Sequence, residues 1–317
     1  MARYTAKRLL QLIPTVLAVI FIVFTIMYFT PGDPGTSILG QTATPEAIAQ
    51  KNHELGYDLP YLQRLGNYVV DILHGDFGNS WKQNQPVFTL IFQRLPVTVT
   101  LAFFAILVAV GIGIPLGVLS AVKQYSIADF ISTTTAMLLA AIPEFWLGLM
   151  LMLLFCVKIQ LLPLIWWGTP SNFVLPVLTL ALPTAAALLR LTRATMLETI
   201  RQDYIRTARS KGARESRVIF RHALKNSLLP VITVIGTSFG AMLGGTVMIE
   251  IIYNMPGLGQ LMYTAIQAKD VPLVMAAVIF LAVLFCLIML LVDLVQAFID
   301  PRIKSRYVKK RPAGGKA

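Results

Sequence analysis

Apolar and polar residues alternate in long blocks along this chain. Six apolar blocks, at 9–29, 97–122, 130–157, 173–196, 228–252 and 273–298, are each long enough to cross hydrocarbon about 30 Å thick, which takes roughly 20 helical residues. The pattern predicts an all-α integral membrane protein with six transmembrane helices. It also divides the chain into an N-terminal tail and first helix over 1–29, a polar helical segment over 30–95, a five-helix core over 96–298 and a basic tail over 299–317.

The first polar block opens at Pro31-Gly32-Asp33-Pro34, where two prolines and a glycine stop a helix. Thr44-Pro45 reads as an N-cap and first helical position, and Gly56 closes that helix. Asp58 and Pro60 open another, whose Leu62, Leu65, Val69 and Ile72 form an apolar stripe, before Gly75-Asp76-Phe77-Gly78 turns the chain. The block is too small for an independent domain and is expected to pack on the ends of the spans. Inside the spans, Gly111, Gly113 and Gly117 permit close helix contact. Gly236, Gly240 and Gly244 either do the same or line a narrow path with backbone.

The polar block before the fifth span is different in kind. Between Arg190 and Asn226 lie ten Lys and Arg residues and three acids. Ile200, Tyr204, Ile205 and Ala208 recur at helical spacing, so one face buries apolar surface while Arg201, Arg206, Arg209 and Lys211 stay solvated. Gly212 falls where a helix ends in a left-handed residue, with Lys211 against the negative end of the dipole. A second short helix is expected over 216–226, and Pro230 places the start of the next span near Leu228.

Composition agrees with the blocks: 56% hydrophobic and 13% charged residues exclude an ordinary soluble domain. The net charge of +12 is mainly a topology signal. Segments 1–8 and 190–226, Lys123 and the tail 299–317 hold twenty-one of the 27 Lys and Arg residues, which predicts both termini in the cytoplasm and segment 30–95 outside it. These cations lie beside spans without interleaved aromatic residues, so nucleic acid is not the expected partner; the lipid bilayer is. Cys156 and Cys286 fall within spans and read as small buried hydrophobes, with no disulfide or zinc spacing. The first block follows Arg3, Lys7 and Arg8 as a signal peptide would. It is long and lacks a small-residue cleavage pattern, so it reads as a retained span. Trp166-Trp167 are expected as interfacial anchors.

Three acids lie in or at the end of spans. Glu144 follows Pro143, and an intramembrane carboxyl there faces either a pathway or gate, or a bonding partner on a neighbouring helix. Glu250 closes the fifth span before Asn254-Met255-Pro256-Gly257-Leu258-Gly259, as a pathway acid or a solvated or locally bonded one. Asp293, about two turns before Asp300, is placed to pair with a cation.

The basic block also carries a resemblance. Ala208 and Gly212, with Leu229-Pro230, are similar to the Glu-Ala-Ala loop of bacterial ABC importer permeases, although the triplet reads Arg206-Thr207-Ala208 and Gly212 lies further from Leu-Pro than the generic form allows. Both departures resemble the peptide/nickel subfamily, as does Arg221-His222-Ala223-Leu224. The likeness extends to Gly75-Asp76-Phe77-Gly78-Asn79-Ser80, Pro143-Glu144-Phe145-Trp146-Leu147-Gly148, Pro256-Gly257-Leu258-Gly259 and Asp300-Pro301-Arg302. Met255 and Gln296 depart from residues usual in relatives. The resemblance is to the B-type permease subunit of dipeptide, oligopeptide and nickel importers.

It implies a type I ABC importer permease fold in the bacterial cytoplasmic membrane, and a cytoplasmic loop over 198–228 that docks on the ATPases through Asp203, Tyr204, Arg206, Thr207, Ala208, Arg209, Lys211, Gly212, Arg214 and Arg221. It implies as partners a homologous second permease, two ATP-binding subunits and an extracytoplasmic solute-binding protein. The chain has no phosphate-binding loop of the form G-x-x-x-x-G-K-[ST], so ATP and Mg are expected on the partner subunits and the chain itself is not expected to be an enzyme. Peptides are the expected cargo, with a nickel chelate, glutathione or an opine as alternatives. Two other classes carry less: an ATP-independent secondary carrier using Glu144 and Asp293, and a membrane enzyme, for which His53, His74 and His222 lack ligand or triad spacing.

Overall fold

The computed structural model describes residues 2–30, 32–40 and 42–299. Pro31, the motif Asp300-Pro301-Arg302 and the basic tail beyond Ile299 lie outside the described residues. Among the described residues the chain is helical, with one isolated antiparallel bridge between Asn79 and Pro86.

Helix α1 (Ala2–Phe29) is followed by three shorter ones, α2 (Pro34–Leu39), α3 (Pro45–Glu54) and α4 (Tyr61–Leu73). The Thr44-Pro45 start signal holds, Thr44 accepting from Ala47 N–H, and Gly56 closes the α3 turn at φ +68°; Asp33, expected only within a stop, also caps α2 by accepting from Thr36 N–H ahead of Pro34. The α4 stripe holds at Leu65, Val69 and Ile72, which are half-buried, and fails at Leu62, which is 77% exposed. The half-buried face carries Tyr61 and Tyr68, whose rings pack on Phe24 and Tyr28 of α1. Aromatic contact sets the rotation of this helix, because a tyrosine buries more surface than a leucine while keeping a polar tip.

Helix α5 (Val87–Val122) begins well before its apolar block. Its first turns bury Val87, Leu90 and Ile91 against Leu258, Leu261 and Leu273, so ordinary core packing supports them. The third expected span is not one rod. It is α6 (Ile127–Ala141) and α7 (Glu144–Met152), bent by 99° at the break, with α7 running on as a π-turn over Leu153–Lys158. Pro143 has no N–H for the ladder and holds Ile142 extended, at φ −81° and ψ 127°. Helix α8 (Pro170–Ile200) opens on a capping box between Thr169 and Asn172.

After α9 (Asp203–Ser210), the helix expected over 216–226 is not separate. The short α10 (Glu215–Arg217) passes through a π-turn, Val218–Ala223, into α11 (Leu224–Gly245), and Pro230 lies inside that rod instead of starting it. Helices α12 (Val247–Ile252), α13 (Leu258–Gln267) and α14 (Val271–Ile299) complete the chain. Among the described residues five helices are long and apolar enough to cross a membrane, six if the bent pair α6–α7 is counted as one span.

The chain divides into two compact units. One is built on Leu101–Met242 with the end of α14 from Leu287; the other on Leu10–Thr100 and Leu243–Cys286. In the first, α5 lies against α8 where a Cβ on Gly113 or Gly117 would sit 2.7 Å from the carbonyl oxygen of Ala185 or Leu189. A Cβ on Gly236 would overlap Val292, whereas Gly111 and Gly244 face open space. Only part of each glycine series is used for close contact.

Candidate functional site

The basic block folds as a helix and a turn pinned from one side. Ile205 is fully buried among Met196, Val218 and Ala223, with Ala208 and Ala213 packed at the edge. These apolar contacts hold α9 against the end of α8 and the start of the α10–α11 rod. Gly212 adopts φ +75°, its N–H donates to Arg209 O (2.9 Å) and Ala213 N–H to Ala208 O (3.2 Å), the two bonds of a Schellman end. Only glycine enters that region without cost, so the direction of the chain after α9 depends on it.

The opposite face is left to solvent. Asp203, Tyr204, Arg206, Thr207, Arg209, Lys211, Arg214 and Arg221 are all exposed. Arg209 bridges the turn to Glu215 through Nη2 (2.6 Å) and Nε (3.1 Å). The Tyr204 hydroxyl accepts from Asn226 Nδ2 at 2.8 Å, tying α9 to α11. Of the residues expected to dock on the ATPases, Ala208 alone is half-buried, packed against the apolar cluster from behind, and the others are exposed.

Behind the same segment lies a pair that sequence reasoning missed. Asp129 is 4% exposed and accepts from Arg193 Nε (2.7 Å) and Nη2 (2.8 Å), from Tyr125 N–H (2.9 Å) and from the Ser120 hydroxyl. This clasp joins the first turn of α6 to α8, two turns before α8 ends. In the sequence Arg193 is one of the ten basic residues between Arg190 and Asn226, and Asp129 sits at the polar edge of an apolar block. The signal was present in Ser126 and Asp129, three apart before an apolar run, a spacing that marks a capped helix start; Ser126 Oγ does accept from Asp129 N–H at 3.3 Å.

The three candidate acids are placed differently. Glu250 is fully buried. Its Oε1 accepts from the hydroxyls of Thr98 (2.6 Å) and Thr246 (3.0 Å) and its Oε2 from Gln260 N–H (2.9 Å), while Thr98 Oγ1 accepts from Leu258 N–H (2.8 Å). A Cβ on Gly257 would land 2.4 Å from the carboxyl carbon, so the turn before α13 is folded directly over Glu250. Glu144 is exposed in the first turn of α7, and Asp293 is half-buried in α14. Among the described residues no three carboxylates, histidines or cysteines gather as a metal site. A further buried acid, Asp270, accepts from Ser80 Oγ and Trp81 N–H (3.1 Å), closing the turn after α4 on the start of α14.

Two family models match. The one described as "Binding-protein-dependent transport system inner membrane component" covers residues 113–305, and "Binding-prot-dependent transport system membrane comp, N-term" covers residues 1–102. The dipeptide transport system permease protein DppB of Alkalihalophilus pseudofirmus is 36% identical over 96% of this chain and 100% of its own length. The glutathione transport system permease protein GsiC of Pectobacterium atrosepticum is 38% identical over 96% of this chain and 99% of its own. Among solved structures, a chain of the inward-facing MetNI methionine ABC transporter is similar in fold, with a TM-score of 0.57 and 18% identity over 67% of this chain and 97% of that one.

Proposed function

The chain belongs to the family of binding-protein-dependent transport system inner membrane components, the permease subunits of ABC importers, and on that premise we propose that it carries peptides inward in an assembly powered by separate ATPase subunits. Both termini are cytoplasmic, which puts segment 30–95 outside and the α9 surface inside, the orientation favoured by the distribution of Lys and Arg. The assembly contains a homologous second permease, two ATP-binding subunits that hold ATP and Mg, and an extracytoplasmic solute-binding protein. The membrane is the bacterial inner membrane. Relatives named for dipeptide and for glutathione transport support a short-peptide cargo, glutathione being itself the lesser alternative.

The observation that carries the coupling role is the two-faced α9: an apolar side clamped by Ile205 and a charged side that no element among the described residues covers. Such a segment passes a push from a partner into α8 and α11, since both rods pack on its buried face. Closure of the ATPases on ATP would move α9, α8 and the rod from Glu215 as one lever, and hydrolysis would release it. The Asp129–Arg193 clasp carries that motion into α6. Glu144 and Asp293 are placed as pathway or gate residues, and Glu250 as the acid that fixes the outer turn at Gly257. The test is uptake of radiolabelled alanyl-phenylalanine into proteoliposomes holding the complete assembly. Uptake that requires both ATP inside and the binding protein outside is the expected result; uptake driven by a proton gradient without ATP would replace this reading with a secondary carrier.

A further inference from the structure

A cavity of about 540 Å³ opens in the second unit, walled by α1, α3, α4, the turn after α4 and the start of α14. Its walls are aromatic, with Tyr28, Tyr57 and Trp81 among them, and Trp81 meets Tyr57 edge-on at 5.8 Å. Arg64 lies over the Tyr57 ring at 3.7 Å and over Tyr28 at 5.1 Å, and no ion pair or hydrogen bond to a carboxylate is found for it among the described residues. A half-buried guanidinium stacked between rings is held in place while its N–H edges stay available.

One turn on, the Tyr68 hydroxyl is buried with no hydrogen-bond partner among the described residues. Burial pushes the phenol well above its ordinary pKa, so it remains a neutral O–H donor. An unpaired buried hydroxyl costs stability unless something supplies its partner. Three residues further, Asp71 lies at the exposed rim. Arg64, Tyr68 and Asp71 are thus spaced four and three apart on one face of α4, and a rise of 1.5 Å per residue spreads them over about 10 Å. The cation stands at one end, the carboxylate at the other, and the hydroxyl between them.

We infer that this cavity binds a short zwitterionic peptide: Arg64 donates to its terminal carboxylate, Tyr68 donates to a peptide carbonyl between the termini, Asp71 accepts from its terminal ammonium, and the aromatic walls take an apolar side chain. An extended chain advances about 3.3–3.6 Å per residue, so two to three residues bridge the stripe. The other acid of the lining, Asp76, is engaged locally, accepting from Gly78 N–H at 2.8 Å, and Lys51 is paired with Glu54 at 2.9 Å. Lys51 is thus balanced by its neighbour, and Asp76, whose N–H donates to Asp71 O at 2.9 Å, adds its negative charge at the end assigned to the ammonium. The choice of a peptide over other zwitterions rests on the peptide reading above; the cavity lies outside the coupling surface and adds a binding site in segment 30–95.

The test is equilibrium binding of radiolabelled alanyl-phenylalanine to the purified full chain in nanodiscs, with the C-terminal amide and the N-acetyl form as competitors. The expected result is saturable binding, with each blocked form weaker by about tenfold or more, as befits a hydrogen-bonded charge. In Arg64→Gln the free acid and its amide should compete equally, and in Asp71→Asn the free amine and its N-acetyl form should. Tyr68→Phe, which removes only the unpaired oxygen, should weaken the acid and its amide alike, by severalfold. Absence of saturable binding to the wild-type chain, or an Arg64→Gln variant that still prefers acid over amide, would overturn the site. Peptide uptake by the assembly without such binding removes this inference alone, whereas binding here in an assembly that transports no peptide removes the cargo reading and leaves the site.

Discussion

Two arginine–carboxylate pairs in this protein have nearly the same geometry and opposite surroundings. Arg193 meets Asp129 at 2.7 and 2.8 Å, Arg209 meets Glu215 at 2.6 and 3.1 Å, and both are bidentate. The Asp129 side chain is 6% exposed and that of Glu215 is 56% exposed. Distance therefore says little about what each pair does. Between helices with little water, breaking a pair leaves a bare charge; at the surface, water and salt replace the partner at small cost.

The contrast is broken most severely by Arg193→Ala. It strands the Asp129 carboxylate between α6 and α8 and should destabilise the chain by about 3–5 kcal/mol, read as a lowered melting temperature in detergent and reduced membrane yield. Replacing both partners by apolar residues of similar volume should recover much of that loss, because no charge is then left unpaired. Glu250→Ala comes next: it removes the acceptor of two hydroxyls and a backbone N–H under the Gly257 turn, with an expected loss of about 2–4 kcal/mol by the same assay.

Gly212→Val should act differently from either. The left-handed φ costs about 1–3 kcal/mol for a β-branched residue, little enough for insertion to survive. The redirected chain should uncouple ATP hydrolysis from uptake in the reconstituted assembly. The smallest effect belongs to Glu215→Ala, under about 1 kcal/mol in stability and weaker still at high salt. An equal loss from Glu215→Ala and Arg193→Ala would erase the distinction drawn here.

The same division governs what could be read from sequence. Hydrophobic blocks long enough for a bilayer gave the helices, and capping residues such as Thr44-Pro45 and Gly212 gave their ends, because those signals are local. The α9 surface was legible for the same reason: Ile205 and the flanking arginines lie within two turns of one another. The break at Pro143 was visible as a proline but not as a 99° bend, since its size depends on what α6 and α7 pack against. The rod through Pro230 and the tyrosine packing of α4 were missed because neighbouring segments outweigh a local stop signal and decide which residues of a half-buried face make the contacts. Asp129 and Arg193, sixty-four residues apart, and the Tyr68 cavity depend on contacts that no local period encodes.

Covalent contact tests the coupling assignment most directly. A photoreactive residue would be placed at Arg206 on the exposed face of α9, and for comparison at Gln63 on α4, in the complete assembly. Irradiation should join position 206 to an ATPase subunit, with ATP changing the yield, and should never join position 63 to that subunit. No adduct from position 206 in an assembly that still transports, or an ATPase adduct from position 63, would contradict the account.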